Sequence, residues 1–127
     1  MVKFSRLDEF KDRYSFEQRT KEAAKLMNKY PDRVGVIVTT QDNMTPLDKR
    51  KFLVPRDNTV GQFMHVIRKR LNVQHKNAIW LSTVNESIPP IARTMGEMHK
   101  EYMDKDGMLY LKVNEETTFG SNLFLLG

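Results

Sequence analysis

The sequence contains no cysteine, which excludes disulfides, thiolate-ligated zinc and a cysteine nucleophile together. A reducing compartment suits such a chain. Long apolar runs are also missing. Nothing approaches the roughly 20 apolar residues of a membrane-spanning helix, so membrane residence would have to come from a covalent anchor or a partner. The opening Met1-Val2-Lys3-Phe4-Ser5-Arg6 leads into charged residues without an apolar core and does not read as a secretory signal. His65, His75 and His99 lack the close spacing of metal ligands, and neither a Gly-rich phosphate loop nor a nucleophile elbow occurs. No cofactor, no metal and no intrinsic enzyme activity are therefore expected. Internal repeats, low-complexity blocks and Pro/Gly/Ser linkers are absent, so the 127 residues read as one folding unit.

What is present is an ordinary globular composition, 39% apolar and 29% charged, with a net charge of +5. The charge is divided. Asp48 to Lys76 carries 8 basic against 2 acidic residues, or +6, whereas Glu86 to Glu116 carries 4 basic against 7 acidic, or −3. A basic half can meet phosphate, anionic lipid or acidic peptide. The aromatic residues fall at core positions of the pattern, which leaves no stacking platform for nucleic acid.

Periodicity sets out the elements. Leu7, Phe10 and Tyr14 recur at helical spacing with Ser5 as a candidate N-cap, and Phe16 to Lys29 forms a second amphipathic helix stopped by Tyr30-Pro31-Asp32. Val34 to Val38 reads as a buried strand. Lys51-Phe52-Leu53-Val54-Pro55 alternates sides as a strand whose Pro55 belongs at an end or an edge, because it has no amide hydrogen. Thr59-Val60-Gly61-Gln62 has the form of a capping box, continued by Phe63, Met64, Ile67 and Leu71 as an amphipathic helix. Strands at Ala78 to Ser82 and Met108 to Val113 flank a helix from Thr94 to Met103. The expected fold is α+β, a ubiquitin-like β-grasp roll with a four-stranded mixed sheet covered on one face and two additional N-terminal helices.

Several stretches, Lys29-Tyr30-Pro31-Asp32-Arg33-Val34, Asp48-Lys49-Arg50-Lys51-Phe52-Leu53-Val54-Pro55, Thr59-Val60-Gly61-Gln62-Phe63 with Val66-Ile67-Arg68-Lys69-Arg70, and Thr118-Phe119-Gly120, resemble the GABARAP-like ubiquitin-like modifiers of autophagy. The resemblance runs from about Leu7 to Gly120. It implies an N-terminal helical subdomain (residues 1–30) packed on a ubiquitin-like domain (31–120), and a tail (121–127) removed by a processing cysteine protease. Activating and conjugating enzymes would then join Gly120 to phosphatidylethanolamine, and the modified protein would recruit cargo receptors to autophagosomal membranes. It implies a cytoplasmic protein, monomeric before conjugation, that is a substrate of enzymes. The alternative is an unconjugated ubiquitin-like interaction module that binds peptide motifs or acidic cytoskeletal surfaces.

Two sites follow. Glu115-Glu116-Thr117-Thr118-Phe119-Gly120 suits a slim segment passed through an enzyme cleft, since glycine has no side chain to obstruct approach. From the residues alone, Phe119-Gly120 is equally a turn before a final strand Asn122 to Leu126. The terminal Gly127 is a rival conjugation point, ranked second because the family's aromatic-Gly ending falls at Phe119-Gly120. The other site is the strand Lys51 to Val54, to which a peptide can add as an extra strand. The resemblance implies peptides with an aromatic and an aliphatic anchor three residues apart and acidic neighbours. The aromatic pocket would draw on Glu22, Leu26, Ile37, Lys51, Leu53 and Met108, and the aliphatic pocket on Phe52, Val54, Pro55, Phe63, Val66 and Ile67. About half of these apolar residues should be interior, with Leu53 partly exposed. Gly35, Asn58 and Met108 stand where the family usually has proline, leucine and an aromatic ring; a more mobile wall, a less apolar second pocket and a more adaptable first pocket are expected.

Overall fold

The structure, a computed structural model, describes residues 9–41, 44, 47–71 and 78–116. Its elements are α1 (Glu9–Arg13), α2 (Phe16–Lys29), β1 (Arg33–Thr40), β2 (Lys51–Pro55), α3 (Val60–Leu71), β3 (Ala78–Ser82), α4 (Met95–Tyr102) and β4 (Leu109–Glu116). Their order is the one periodicity predicts. The N-cap Ser5 and the residues from Thr117 on, Phe119 and Gly120 included, lie outside the described residues.

The helices begin where side chains satisfy their first amides. Thr59 and Gln62 form the expected box: the Gln62 N–H donates to Thr59 Oγ1 at 3.1 Å and the Thr59 N–H to Gln62 Oε1 at 2.8 Å. A second box, not anticipated from sequence, starts α2, where the Gln18 N–H donates to Ser15 Oγ at 3.1 Å and the Ser15 N–H to Gln18 Oε1 at 2.8 Å. The third starts α4. There the Glu97 N–H donates to Thr94 Oγ1 at 3.2 Å, and the Thr94 hydroxyl and N–H donate to the Glu97 carboxylate, which these bonds hold below the usual glutamate range. Thr94→Ala should lower stability by about 1 kcal/mol in urea unfolding.

The strands form one mixed sheet in the order β2-β1-β4-β3. β1 runs antiparallel to β2 (Gly35 opposite Leu53) and parallel to β4 (Val36 opposite Leu109), while β3 is antiparallel to β4 (Leu81 opposite Val113). Strand alternation gives the sheet two apolar faces. Val34, Val36, Val38, Phe52, Val54, Leu81, Leu109, Leu111 and Val113 pack with Phe63 and Ile67 of α3 and Met95 and Met98 of α4 in the main core. On the other face Ile37, Met108 and Tyr110 pack against Ala23 and Leu26 of α2 and Phe10 of α1. The expectation of a sheet covered on one face is therefore corrected: α2 covers part of the second face. The physical reason is that β1 carries the apolar run Val36-Ile37-Val38 and is buried at nearly every position, and a strand buried on both sides needs a partner on each.

A polar cluster fastens the N-terminal helices to this second face. Asp106, its side chain wholly buried, accepts from Arg19 Nη1 at 2.8 Å, from the Tyr110 hydroxyl and from the Met108 N–H at 2.8 Å. Burial and the Asp106 carboxylate together push the Tyr110 phenol well above its usual range. Nearby, Lys11 Nζ lies 2.6 Å from Asp104 Oδ1 and 4.7 Å above the Tyr110 ring. Burial works to raise Asp104, but the Lys11 hydrogen bond, the Asp106 N–H and the charges of Lys11 and Arg19 prevail and hold it below the ordinary carboxylate value. The turn between α4 and β4 carries Gly107 at φ +92°, where a Cβ would also come within 3.0 Å of Ala23 Cβ. Glycine there lets α2 sit down on the sheet.

Candidate peptide-binding edge

β2 is an edge strand, and its hydrogen-bond phase decides which of its backbone groups face outward. The Val38 N–H donates to the Arg50 carbonyl at 2.8 Å and the Arg56 N–H to the Asp32 carbonyl at 2.9 Å, so the even-numbered residues of this segment bond to β1. The N–H and C=O groups of Lys51 and Leu53 consequently point along the open edge. Pro55 is in the same outward phase, where its missing N–H costs the ladder nothing. Its carbonyl accepts from the Asn58 N–H at 3.2 Å, closing the edge at that end.

The side chains of β2 divide between the two faces. Lys51, Leu53 and Pro55 face the α2 side, with Lys51 exposed and the other two half-buried. The Lys51 ammonium pairs with the Glu22 carboxylate of α2, and Leu26 of the same helix reaches over Gly35, the residue opposite Leu53. Phe52 and Val54 face α3. The Phe52 ring meets Phe63 edge-on at 5.5 Å, with Lys49 and Arg70 over it at 5.5 and 5.6 Å.

Six of the anticipated residues, Ile37, Phe52, Val54, Phe63, Ile67 and Met108, are core and can form a pocket only as its floor. Leu26, Leu53 and Pro55 are half-buried, and Val66 on α3 is 42% exposed. Asn58 is half-buried and donates its N–H to Pro55, with its own carbonyl accepting from the Met95 N–H at 2.7 Å. It thus holds the turn into α3 by its backbone as well as bordering the strand end.

A cleft of about 410 Å³ opens beyond Lys51, lined by Phe10, Arg13, Tyr14, Lys49 and Arg50 among others. Its charge is predominantly basic, with Asp48 the acidic member of the lining. Lys49, Arg50 and Lys51 belong to the basic stretch read from the sequence, but Arg13, Phe10 and Tyr14 could not be joined to it, because only the tertiary packing of α1 brings them to this end of β2. The space beside Gly35, Leu26 and Met108 is small, about 10 Å³. Met108 fills it, with Sδ 2.8 Å from the point a Cβ on residue 35 would occupy.

Among the described residues no group of His, Asp or Glu could hold a metal ion, and no helix is long and apolar enough to cross a membrane.

Comparison with known proteins accords with this architecture. The family model described as "Autophagy protein Atg8 ubiquitin like" matches residues 18–120. Autophagy-related protein 8 of Schizosaccharomyces pombe is 43% identical over 115 residues, covering 89% of this chain and 94% of that protein. The protein of the same name from Candida albicans is 44% identical over 117 residues, covering 91% and 86%. The crystal structure of Trypanosoma brucei ATG8 superposes with a TM-score of 0.82 at 38% identity, covering 88% of this chain and 97% of that one. A family match over most of the chain, agreeing with the ubiquitin-like sheet and its N-terminal helices, places this chain in the Atg8 family of autophagy-related ubiquitin-like proteins.

Proposed function

We propose that this chain is a lipid-conjugated modifier that brings cargo receptors to the growing autophagosome. The observation that carries the lipid step is that the family match ends on Gly120, the aromatic-Gly position, while residues 121–127 extend past it. A cysteine protease would hydrolyse the Gly120–Ser121 bond. Activating and conjugating enzymes would then pass the Gly120 carboxyl through a thioester to the amino group of phosphatidylethanolamine, forming an amide. Two acyl chains give firm anchoring where a single chain is marginal. The chain is the substrate in every step, not a catalyst, and moves from the cytoplasm, as a monomer, to the autophagosomal membrane. Residues 1–30 act as a helical subdomain against the ubiquitin-like domain of 31–120, and 121–127 is the discarded tail.

Receptor binding is assigned to the β2 edge. In an extended peptide, residues three apart point to opposite faces. A peptide paired to the outward groups of Lys51 and Leu53 would thus send its aromatic anchor to the α2 side, near Leu26 and Leu53, and its aliphatic anchor to the α3 side, near Val66. Acidic residues beside the anchors would lie toward the basic cleft of Arg13, Lys49 and Arg50. Exposed ion pairs there contribute only about 0–1 kcal/mol each, so affinity rests chiefly on the anchors.

Leu53→Ala should weaken binding of an aromatic-x-x-aliphatic peptide about tenfold in calorimetry, a loss of ~1.4 kcal/mol, without unfolding the domain. Unchanged affinity would move the groove elsewhere. Membrane fractionation separates the conjugated modifier from an unconjugated interaction module, which would keep its tail and stay off the membrane.

A further inference from the structure

We infer that Met108, seated in the space left by the missing side chain of Gly35, is a movable plug that closes the first anchor pocket against large aromatic side chains. The inference rests on the β2-edge reading above and names which peptides that edge prefers.

The seat is close-fitting. Met108 is completely buried, and its Sδ and Cε atoms lie 2.8 and 3.7 Å from where a Cβ on Gly35 would stand. Leu26 Cδ1 closes the same point from α2 at 3.6 Å. A residual space of about 10 Å³ is close to the minimum for one water molecule and cannot admit a ring. An aromatic anchor can enter only if the thioether leaves.

The way it can leave is equally defined. The Met108 backbone is held on both sides: its N–H donates to Asp106 Oδ1 at 2.8 Å, and its carbonyl accepts from the Asp104 N–H at 2.8 Å. His99 Nε2 donates to the neighbouring Gly107 carbonyl at 2.8 Å. Opening therefore falls to the side chain, which is unbranched, has three rotatable bonds and requires no shift of β4. The rim is compliant, since Leu26 is half-buried and Met27 is 43% exposed.

A pocket open for only a fraction of the time weakens apparent affinity by that fraction. A favourable sulfur–ring contact in the opened state repays part of this. A small aliphatic anchor can rest on Leu26 and Leu53 without opening the plug, so the closed seat narrows the advantage of aromatic over aliphatic first anchors.

The test uses two synthetic peptides with acidic residues ahead of the core, one carrying tryptophan-x-x-leucine and the other leucine-x-x-leucine. Each is titrated into the wild type and Met108→Ala while the methionine methyl signals are followed by NMR; Met108→Leu assigns the Met108 methyl. With an open fraction near one tenth, Met108→Ala should bind the tryptophan peptide about tenfold tighter and the leucine peptide within about threefold of wild type. The wild-type Met108 methyl should shift strongly with the tryptophan peptide alone. If Met108→Ala does not fold, that methyl decides the matter. Binding of the tryptophan peptide with the methyl unmoved, or no tighter binding by the folded variant, overturns the plug and leaves the edge reading standing. Failure of both peptides to bind wild type and variant sinks the edge reading and the plug with it.

Discussion

Gly120→Ala should abolish membrane attachment in cells, with the variant accumulating as the untrimmed, soluble chain. The size of the effect follows from where the added methyl sits. In the proposed pathway the Gly120 carbonyl is attacked repeatedly, by the protease thiol and then water during processing, and by enzyme thiols and the lipid amine during activation and transfer, each time inside an enzyme cleft. A Cβ next to that carbonyl obstructs every approach, and each ~1.4 kcal/mol added to a barrier slows its step about tenfold. Obstruction at successive steps compounds, so the lipid-bound fraction should fall below detection in a pellet assay. Gly127→Ala should change nothing, because in the proposed pathway that residue would leave with the tail. A Gly120→Ala chain that is still trimmed and still sediments with membranes would place the attachment elsewhere.

Asp106→Ala should be the most destabilising single substitution among the polar residues described. It removes the acceptor shared by Arg19, Tyr110 and the Met108 N–H, and leaves a guanidinium whose side chain is only 10% exposed without its carboxylate. Breaking a buried pair by deleting one partner costs about 3–5 kcal/mol. A domain of this kind has about 5–15 kcal/mol in total, so the urea midpoint should fall steeply. Replacing both partners, as in Arg19→Met with Asp106→Leu, should recover the part of the loss that comes from the stranded charge, while the Tyr110 hydroxyl and the Met108 N–H still lose their acceptor. A loss below about 1 kcal/mol for Asp106→Ala would mean that the cluster does not hold α2 to the sheet.

The contrast between these two sites explains what was legible in the sequence. Elements written by local rules could be read directly. The Thr59/Gln62 box opens α3, alternation in Lys51 to Pro55 makes β2, and Ala78 to Ser82 is a strand with those bounds. Pro55 even signalled the edge, since a central strand would have lost a hydrogen bond there.

What stayed hidden was set by residues far apart in the chain. Arg19 and Asp106 are 87 positions apart, Lys11 and Asp104 are 93, and no periodicity connects them. Coverage of the second sheet face by α2 depends on those pairs and on Gly107, whose positive φ and closeness to Ala23 appear only in the fold. The phase of the β2 ladder, which turns Lys51 and Leu53 outward, needed the pairing with β1. Gly35 and Met108 each stand out from the family pattern in the sequence, but that they meet is visible only in the fold, where Met108 takes up the volume a side chain at residue 35 would need.

The most direct test of the modifier assignment is the intact mass of the protein recovered from cell membranes. Expected is a chain ending at Gly120, lighter by residues 121–127 and heavier by one phosphatidylethanolamine joined as an amide. A membrane-recovered chain of the full 14.9 kDa with no added lipid would contradict it.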